Sequence, residues 1–359
     1  MLYDFVDYKK EIDQIIEEAI RVDATDIHLT PGRPPIVRVN GSLTMMENQG
    51  IIDAEKIKNL ASSLLTPEQE KRLSETKDID LSFTFRDISR FRANIYNISG
   101  GLAVALRFLP TKIRNIEELH LPEILNQFSM MSQGFFLVVG PSGHGKSTAL
   151  AAMIDSINHH RQDHIITIED PIEYVFEQDK CIIEQREVGT DVSGFNHGLR
   201  SMFREDADVV MIGEMRDKET ISTAITAAET GHLIFSTLHT NTASQTVDRI
   251  IDSFPPYQQE QIRAQLASNL LGVLSRRLLP DLQGGMINAI ELLIANSAIR
   301  NLIREGKTHQ IDMVLDTSSE EGMISLNHSL SNLVQEGKVS LEVAEKFSLN
   351  PAELRMLLR

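Results

Sequence analysis

An apolar run, Phe135-Phe136-Leu137-Val138-Val139, opens directly onto Gly140-Pro141-Ser142-Gly143-His144-Gly145-Lys146-Ser147-Thr148. No other stretch restricts the fold as strongly. The run has the length and β-rich composition of a buried strand, and Leu150, Met153, Ile154 and Ile157 follow at helical spacing. A glycine-rich loop ending in Lys-Ser between a strand and a helix is a P-loop, and that context distinguishes it from an ordinary turn. Its four fixed positions arise by chance in roughly 1% of chains this long. Such a loop turns main-chain N–H groups around phosphate oxygens, so Gly140, Pro141, Ser142, Gly143, His144, Gly145, Lys146, Ser147 and Thr148 are the expected nucleotide-binding residues. Lys146 supplies a charge near the β and γ phosphates, and the Ser147 hydroxyl is placed to ligate Mg²⁺. The cofactors implied are ATP and Mg²⁺.

A chain of 359 residues is long enough for two domains. Hydrophobic content of 42% and charged content of 24% suit a globular protein and disfavour disorder. The net charge of −16 opposes a sequence-independent grip on nucleic acid, so no direct nucleic-acid partner is expected. The single cysteine, Cys181, excludes an intramolecular disulfide and a thiolate zinc cluster, and it fits a reducing cytoplasm. Neither a secretion signal nor an apolar run near the ~18 residues of a spanning helix is present, so action at a membrane requires a partner.

The first 110 residues read as a small α+β domain. Phe5, Ile12, Ile15, Ile16, Ala19 and Ile20 mark an amphipathic helix over 4–22, and strands are expected around 24–29 and 36–39 with a turn at Asn40-Gly41. Helical patterns cover 53–65 and 67–73, and three strands follow at 79–85, 89–96 and 102–109. Period-two alternation puts Arg92 and Arg107 on the face opposite the apolar residues. They are either a solvated sheet face or arginines that sense phosphate. A polar, proline-flanked segment at 111–122 is the expected linker. The ATPase core is expected over 123–295 and a helical region over 296–359.

Beyond the P-loop, buried strands are expected at 164–168, 208–212 and 233–238, ending in Glu169-Asp170, Gly213-Glu214 and His239. Strands alternating with helices build a parallel sheet, whose ligands gather at the strand C-termini. Glu214 is the expected carboxylate for the attacking water, and Glu169 or Asp170 the source of a second carboxylate for the metal shell, because Gly213 stands where an Asp usually closes such a strand. His239 either hydrogen-bonds a γ-phosphate or orients Glu214. Arg200 and Arg204 share a helix face and either bridge to a neighbouring subunit or pair with Glu205 and Asp206. His159, His160 and His164 suit a helix end better than a metal site.

With these residues in place the chain resembles the type IV pilus retraction ATPases, the PilT branch of the secretion ATPase superfamily. The likeness rests on Thr25-Asp26-Ile27-His28, Pro34 to Gly41, Arg90-Phe91-Arg92, the P-loop, Ile168 to Glu173, Gln185-Arg186-Glu187-Val188, Gly213 to Asp217 and Gly231-His232 to His239. Ala298-Ile299-Arg300-Asn301-Leu302-Ile303-Arg304-Glu305 looks like the family's C-terminal retraction motif, and read on its own it is an amphipathic helix capped by Gly306. The resemblance implies a PAS-like N-terminal domain, a RecA-like P-loop ATPase domain and a homo-hexamer with ATP sites between domains and subunits. It further implies force on a polytopic inner-membrane platform protein from the cytoplasmic side, with a paralogous retraction ATPase as a further partner.

By the same resemblance Lys146 and Ser147 hold phosphate and Mg²⁺, Glu169 and Glu214 are catalytic carboxylates, His239 couples them, and Arg92 and Arg107 are second-domain arginines. The segment 275–285 lacks the four-cysteine zinc site common in assembly and type II secretion relatives, which favours the retraction branch. His144 departs from the small residue often found there. The rival readings are an accessory or assembly ATPase and a nucleotide-gated binding module with little turnover.

Overall fold

The computed structural model describes residues 2–39, 41–86, 89–109 and 112–359, with side chains from Tyr8 onward. The chain divides into two compact units, Met1–Lys112 and Ile113–Arg359. The expected Asn40 turn position, the Pro110 boundary and the Phe5 side chain lie outside the described residues.

The first unit holds α1 (Leu2–Arg21), β1 (Asp26–Leu29), β2 (Ile36–Val39), β3 (Ser42–Met45), α2 (Ala54–Ser62), α3 (Pro67–Thr76), β4 (Asp78–Phe85), β5 (Ser89–Ile98) and β6 (Gly101–Leu109). Its antiparallel sheet has the order β3-β2-β1-β6-β5-β4. Alternation works as expected: Phe91, Ala93, Ile95, Val104 and Leu106 are buried with Ile12, Ile15 and Ile16 of α1, while Arg92 and Arg107 stay on the solvent side. Asp53 caps α2 by accepting from the Lys56 N–H, and Thr66 with Gln69 forms a capping box on α3.

The second unit runs through α4 (Ile124–Ser129), β7 (Gly134–Val139), α5 (Lys146–His160), β8 (His164–Glu169), β9 (Ile182–Glu187), α6 (Phe195–Met202), β10 (Val209–Ile212), α7 (Lys218–Glu229) and β11 (Leu233–Leu238). It continues with α8 (Ala243–Asp252), α9 (Pro256–Asn269), β12 (Leu270–Pro280), β13 (Met286–Ile294), α10 (Ser297–Arg304), α11 (Ile311–Thr317), α12 (Leu326–Gln335), α13 (Leu341–Phe347) and α14 (Pro351–Leu357). The sheet order is β13-β12-β7-β11-β10-β8-β9, parallel except for the β12–β13 pair. This is the α/β arrangement of a RecA-like P-loop ATPase. Every residue of β7, β10 and β11 is buried, because helices cover both faces of a parallel sheet. Phe135, Leu137 and Val139 belong to one apolar cluster and Phe136 and Val138 to the other.

Two stretches sit differently from the sequence reading. From Ile113 onward the segment expected as a linker belongs to the second unit, and Ile116, Leu119 and Leu121 are buried in its core. Polar neighbours had masked three anchoring apolar residues. The C-terminal helices α12 to α14 belong to the same unit through a smaller apolar cluster of their own, in which Leu326, Leu330, Ala344 and Leu354 pack with Leu279 and Ala289 of the sheet. Within α10, Ile299 and Ile303 are buried while Arg300 Nη1 donates to the carbonyls of Ala267 and Ser268, each at 2.6 Å, at the end of α9.

Candidate active site

The P-loop leaves β7 at Gly140 and returns to helix at Lys146, and Gly143 and Gly145 have φ of 78° and 75°. That left-handed backbone is open to glycine at low cost. The first N–H groups of α5 therefore face the loop interior, the setting in which a helix N-terminus holds an anion. Lys146 is 8% exposed. Its Nζ donates to the Gly140 carbonyl at 2.9 Å and the Pro141 carbonyl at 3.0 Å, and lies 3.4 Å from His239 Nδ1. Burial pulls its pKa down, against the opposing charges of Glu214 and Glu173. A buried ammonium with carbonyl oxygens and an imidazole for partners favours a phosphate beside it.

The carboxylates arrive from neighbouring strands. Gly213 follows β10, and a Cβ there would stand 3.3 Å from the Ile168 carbonyl and 3.4 Å from Glu169 Cα, so the exit of β8 leaves little room for the usual aspartate. Glu214 comes next, with a mostly buried side chain; its Oε1 is 2.5 Å from Arg216 Nη2 and its Oε2 is 3.3 Å from His239 Nε2. The Thr237 hydroxyl donates to the Gly213 carbonyl at 2.6 Å and the Met215 N–H to the Thr237 carbonyl at 3.2 Å, which fixes the end of β10 against that of β11. An ammonium only donates, so His239 Nδ1 accepts from Lys146 and its Nε2–H donates to Glu214. Lys146, His239 and Glu214 thus form one continuous hydrogen-bonded chain.

Glu169 ends β8 in a separate, buried setting. Its Oε1 accepts from the Thr167 hydroxyl at 2.6 Å and from Gln185 Nε2 at 3.1 Å. Burial pushes its pKa up to about 7 despite those bonds. Asp170 is exposed, and its charge helps hold Arg216 protonated after the larger effect of Glu214. The Thr148 hydroxyl is 2.9 Å from the Tyr174 hydroxyl. Among the described residues no group of three His, Cys, Asp or Glu is spaced to hold a metal ion. The Ser147 hydroxyl, in the first turn of α5, is a hard oxygen donor of the kind Mg²⁺ takes.

His144, a P-loop residue, accepts the Leu278 N–H through Nδ1 at 2.8 Å, and its ring lies 6.3 Å from that of Phe347 in α13. Burial, then the charges of Arg277, Lys146 and Arg276, keep this imidazole below its ordinary pKa. Arg276 and Arg277, together with Ser275, were missed as site residues by the sequence reading. The Ser275 hydroxyl donates to the Asn241 carbonyl at 2.9 Å, and Arg277 Nη2 to the same carbonyl at 2.8 Å. Two arginines inside an otherwise apolar strand were the available signal.

In the first unit the register aligns Arg38, Asp26, Arg107 and Arg92 across β2, β1, β6 and β5. Arg107 Nε donates to Asp26 at 2.8 Å with its side chain 69% exposed, and Arg92 is 3.6 Å from Asp80. Burial works against ionised Asp26, but hydrogen bonds from Arg107 and Thr25 outweigh it and hold the carboxyl below its usual range. Of the two alternatives for Arg200 and Arg204, no ion pair with Glu205 or Asp206 is seen among the described residues; Glu205 takes Arg186 Nη1 on both oxygens, at 2.9 and 3.1 Å. Arg186 lies on the adjacent strand, a neighbour that helical spacing alone does not reveal.

The model of the family described as Type II/IV secretion system protein matches residues 4–335. The chain is 41% identical to the type IV pilus retraction ATPase PilT of Pseudomonas aeruginosa, over 94% of this chain and 97% of that protein. It is 34% identical to the type IV pilus ATPase PilU of the same organism, over 97% of this chain and 91% of the relative. The crystal structure of the pilus retraction motor PilT with bound ADP superposes with a TM-score of 0.90 at 47% identity, covering 96% of this chain and 99% of that one.

Proposed function

The chain belongs to the Type II/IV secretion system protein family and is an ATP hydrolase of it, and we propose that its hydrolysis drives type IV pilus retraction and the twitching motility that depends on it. The reading is carried by the Lys146–His239–Glu214 chain at a P-loop, in a protein similar over almost its whole length to a retraction ATPase.

In this proposal the backbone of Gly140 to Thr148 cradles the phosphates and Lys146 neutralises them. When bound, Mg²⁺ offsets charge on the leaving phosphate, with the Ser147 hydroxyl and Asp170 as the nearby oxygen donors. Glu214 orients the attacking water, held by the His239 Nε2–H. Glu169 acts as the second carboxylate. When the Lys146 ammonium turns its donors to a bound phosphate, His239 Nδ1 loses what it accepts, and this couples Glu214 to the nucleotide. Arg92 and Arg107 serve as arginine fingers in an assembled ring. The assembly proposed is a homo-hexamer on the cytoplasmic face of the inner membrane, working on a polytopic pilus platform protein. Among the described residues no helix is long and apolar enough to cross a membrane.

A second reading, an accessory retraction ATPase, draws on the 34% identity to a relative described as a type IV pilus ATPase, with no mention of retraction. A deletion strain complemented with wild type or Glu214→Gln tests both. Hyperpiliation without twitching, rescued by wild type alone, supports the retraction motor. Twitching that persists in the deletion strain supports the accessory role, and loss of pili points to assembly. Purified Glu214→Gln should hydrolyse ATP at least ~10²-fold more slowly than wild type. Equal near-zero rates in both proteins would identify a nucleotide-gated module.

A further inference from the structure

Arg276 is the largest side chain among those buried most completely, at 2% exposure, in a strand flanked by β7 and β13. Its main chain and its guanidinium meet opposite ends of the P-loop. A Cβ at Gly140 would lie 2.6 Å from the Arg276 carbonyl oxygen, and one at Gly145 would lie 2.9 Å from Arg276 Nη1. Those glycines are the first and last of the motif, so any larger residue at either end strikes Arg276.

The guanidinium donates through Nη1 to the Gly145 carbonyl and through Nη2 to Asn288 Oδ1. Asn288 is itself anchored by Nδ2, which donates to the Leu119 carbonyl at 2.8 Å. The Gly145 carbonyl also accepts the Ala149 N–H at 3.1 Å in the first turn of α5. In a trans peptide the carbonyl and the following N–H point in opposite directions. Holding the Gly145 oxygen therefore aims the Lys146 N–H out of the helix end, into the loop that would receive phosphate.

The charge has no matching partner. Arg276 Nε has no hydrogen-bond acceptor, and among the described residues no carboxylate pairs with this guanidinium. Burial lowers its pKa to about 10; Tyr174 works against this, and the charge of Arg114 adds to it. A buried cation held by carbonyl and amide oxygens alone is a poor arrangement for stability and a good one for receiving an anion.

We propose that Arg276 is a positioning residue of the nucleotide site: it clamps Gly145 so that the α5 N-terminus faces the phosphates, and it supplies a fixed buried positive charge that bound phosphate neutralises. The proposal rests on the P-loop binding nucleotide. It assigns Arg276 no contact with the reacting atoms.

The test is ADP affinity by calorimetry with MgCl₂, at several salt concentrations, and melting temperature with and without ADP, for the full chain and for Arg276→Gln, Arg276→Lys, Asn288→Ala and Lys146→Ala. Arg276→Gln should keep or raise the nucleotide-free melting temperature, weaken ADP at least tenfold and flatten the salt dependence. Arg276→Lys, keeping charge but losing the fork, should fall between, and Asn288→Ala should weaken ADP two- to fivefold. If Arg276→Gln does not fold, unchanged ADP affinity in Arg276→Lys and Asn288→Ala overturns the proposal. Arg276→Gln with a lowered nucleotide-free melting temperature and wild-type affinity also overturns it, since the arginine would then be structural. Wild-type affinity in Lys146→Ala would instead defeat the P-loop reading, which separates the two failures.

Discussion

Replacing Thr167 by Val removes one hydroxyl and keeps the shape of the side chain, within a fully buried stretch of β8. The loss is a single 2.6 Å hydrogen bond to Glu169 Oε1, leaving Gln185 Nε2 as the other side-chain donor. Burial raises the Glu169 pKa to about 7, while these bonds pull the other way because they favour the charged form. A hydrogen bond to a charged group contributes roughly 1.5–3 kcal/mol, or about one to two pKa units, so the variant should titrate near pH 8–9. If turnover requires the Glu169 carboxylate, wild-type kcat should rise about tenfold from pH 6 to pH 8 and level off above that. At pH 7 about half of the wild-type carboxyl is ionised, against about a tenth or less in the variant, so Thr167→Val should be ~5- to 50-fold slower. The gap should narrow as pH rises toward 9. The assay is steady-state phosphate release at saturating Mg²⁺–ATP across pH 5.5 to 9.5, with melting curves confirming the fold at each pH. A variant profile with the wild-type midpoint would refute Glu169 as the titrating group, and a flat wild-type profile would refute the need for its ionisation.

Three further outcomes are expected. Glu291, buried with its Oε1 accepting the Ala243 N–H at 2.7 Å, has its pKa pushed up to about 7 by burial. A raised carboxyl pKa contributes stability below the unfolded value near 4.5 that is lost as pH rises through 7, so Glu291→Gln should gain about 2–3 kcal/mol on wild type between pH 5 and pH 8 in urea melts. A constant difference across that range would show that ionisation of Glu291 is not the cause. Lys146→Ala should abolish measurable ATP turnover, and retained wild-type activity would contradict the P-loop assignment. Arg107→Ala should slow hydrolysis by up to ~10³-fold if it is an arginine finger. Unchanged kcat would leave Arg107 with its pairing to Asp26 alone.

The readable parts of the chain were those where chemistry follows from local order. Gly140 to Thr148 declared a strand-to-helix phosphate loop, and strand ends at Glu169, Glu214 and His239 fell to one sheet edge because parallel strands place their C-termini together. Alternation along β5 and β6 put Arg92 and Arg107 on the right face. What alternation does not carry is register: that Asp26 stands opposite Arg107 is set by pairing between strands 81 residues apart. Gln185 was visible as part of a motif, but its role as the amide linking Glu169 to the Tyr174 carbonyl and Phe176 N–H required the β8–β9 pairing. Arg276 and Arg277 carried no such signal and were passed over, because the carbonyls of Gly145 and Asn241 that accept from them are far away in the sequence.

Those passed-over residues explain why the reacting groups stay in register. The P-loop and the loop bearing His239 leave adjacent strands, β7 and β11, yet both hang from the end of β12. Arg276 holds Gly145, the Leu278 N–H holds His144, and Ser275 and Arg277 hold the Asn241 carbonyl just beyond His239. The 3.4 Å approach of Lys146 to His239 is thus fixed from behind by a strand that contributes no reacting group. Substitutions of Ser275 and Arg277, which hold the His239 loop rather than the P-loop, should therefore change how nucleotide and Glu214 are coupled before they change nucleotide binding, and a kcat defect with unaltered nucleotide affinity in Arg277→Lys is the pattern this arrangement requires.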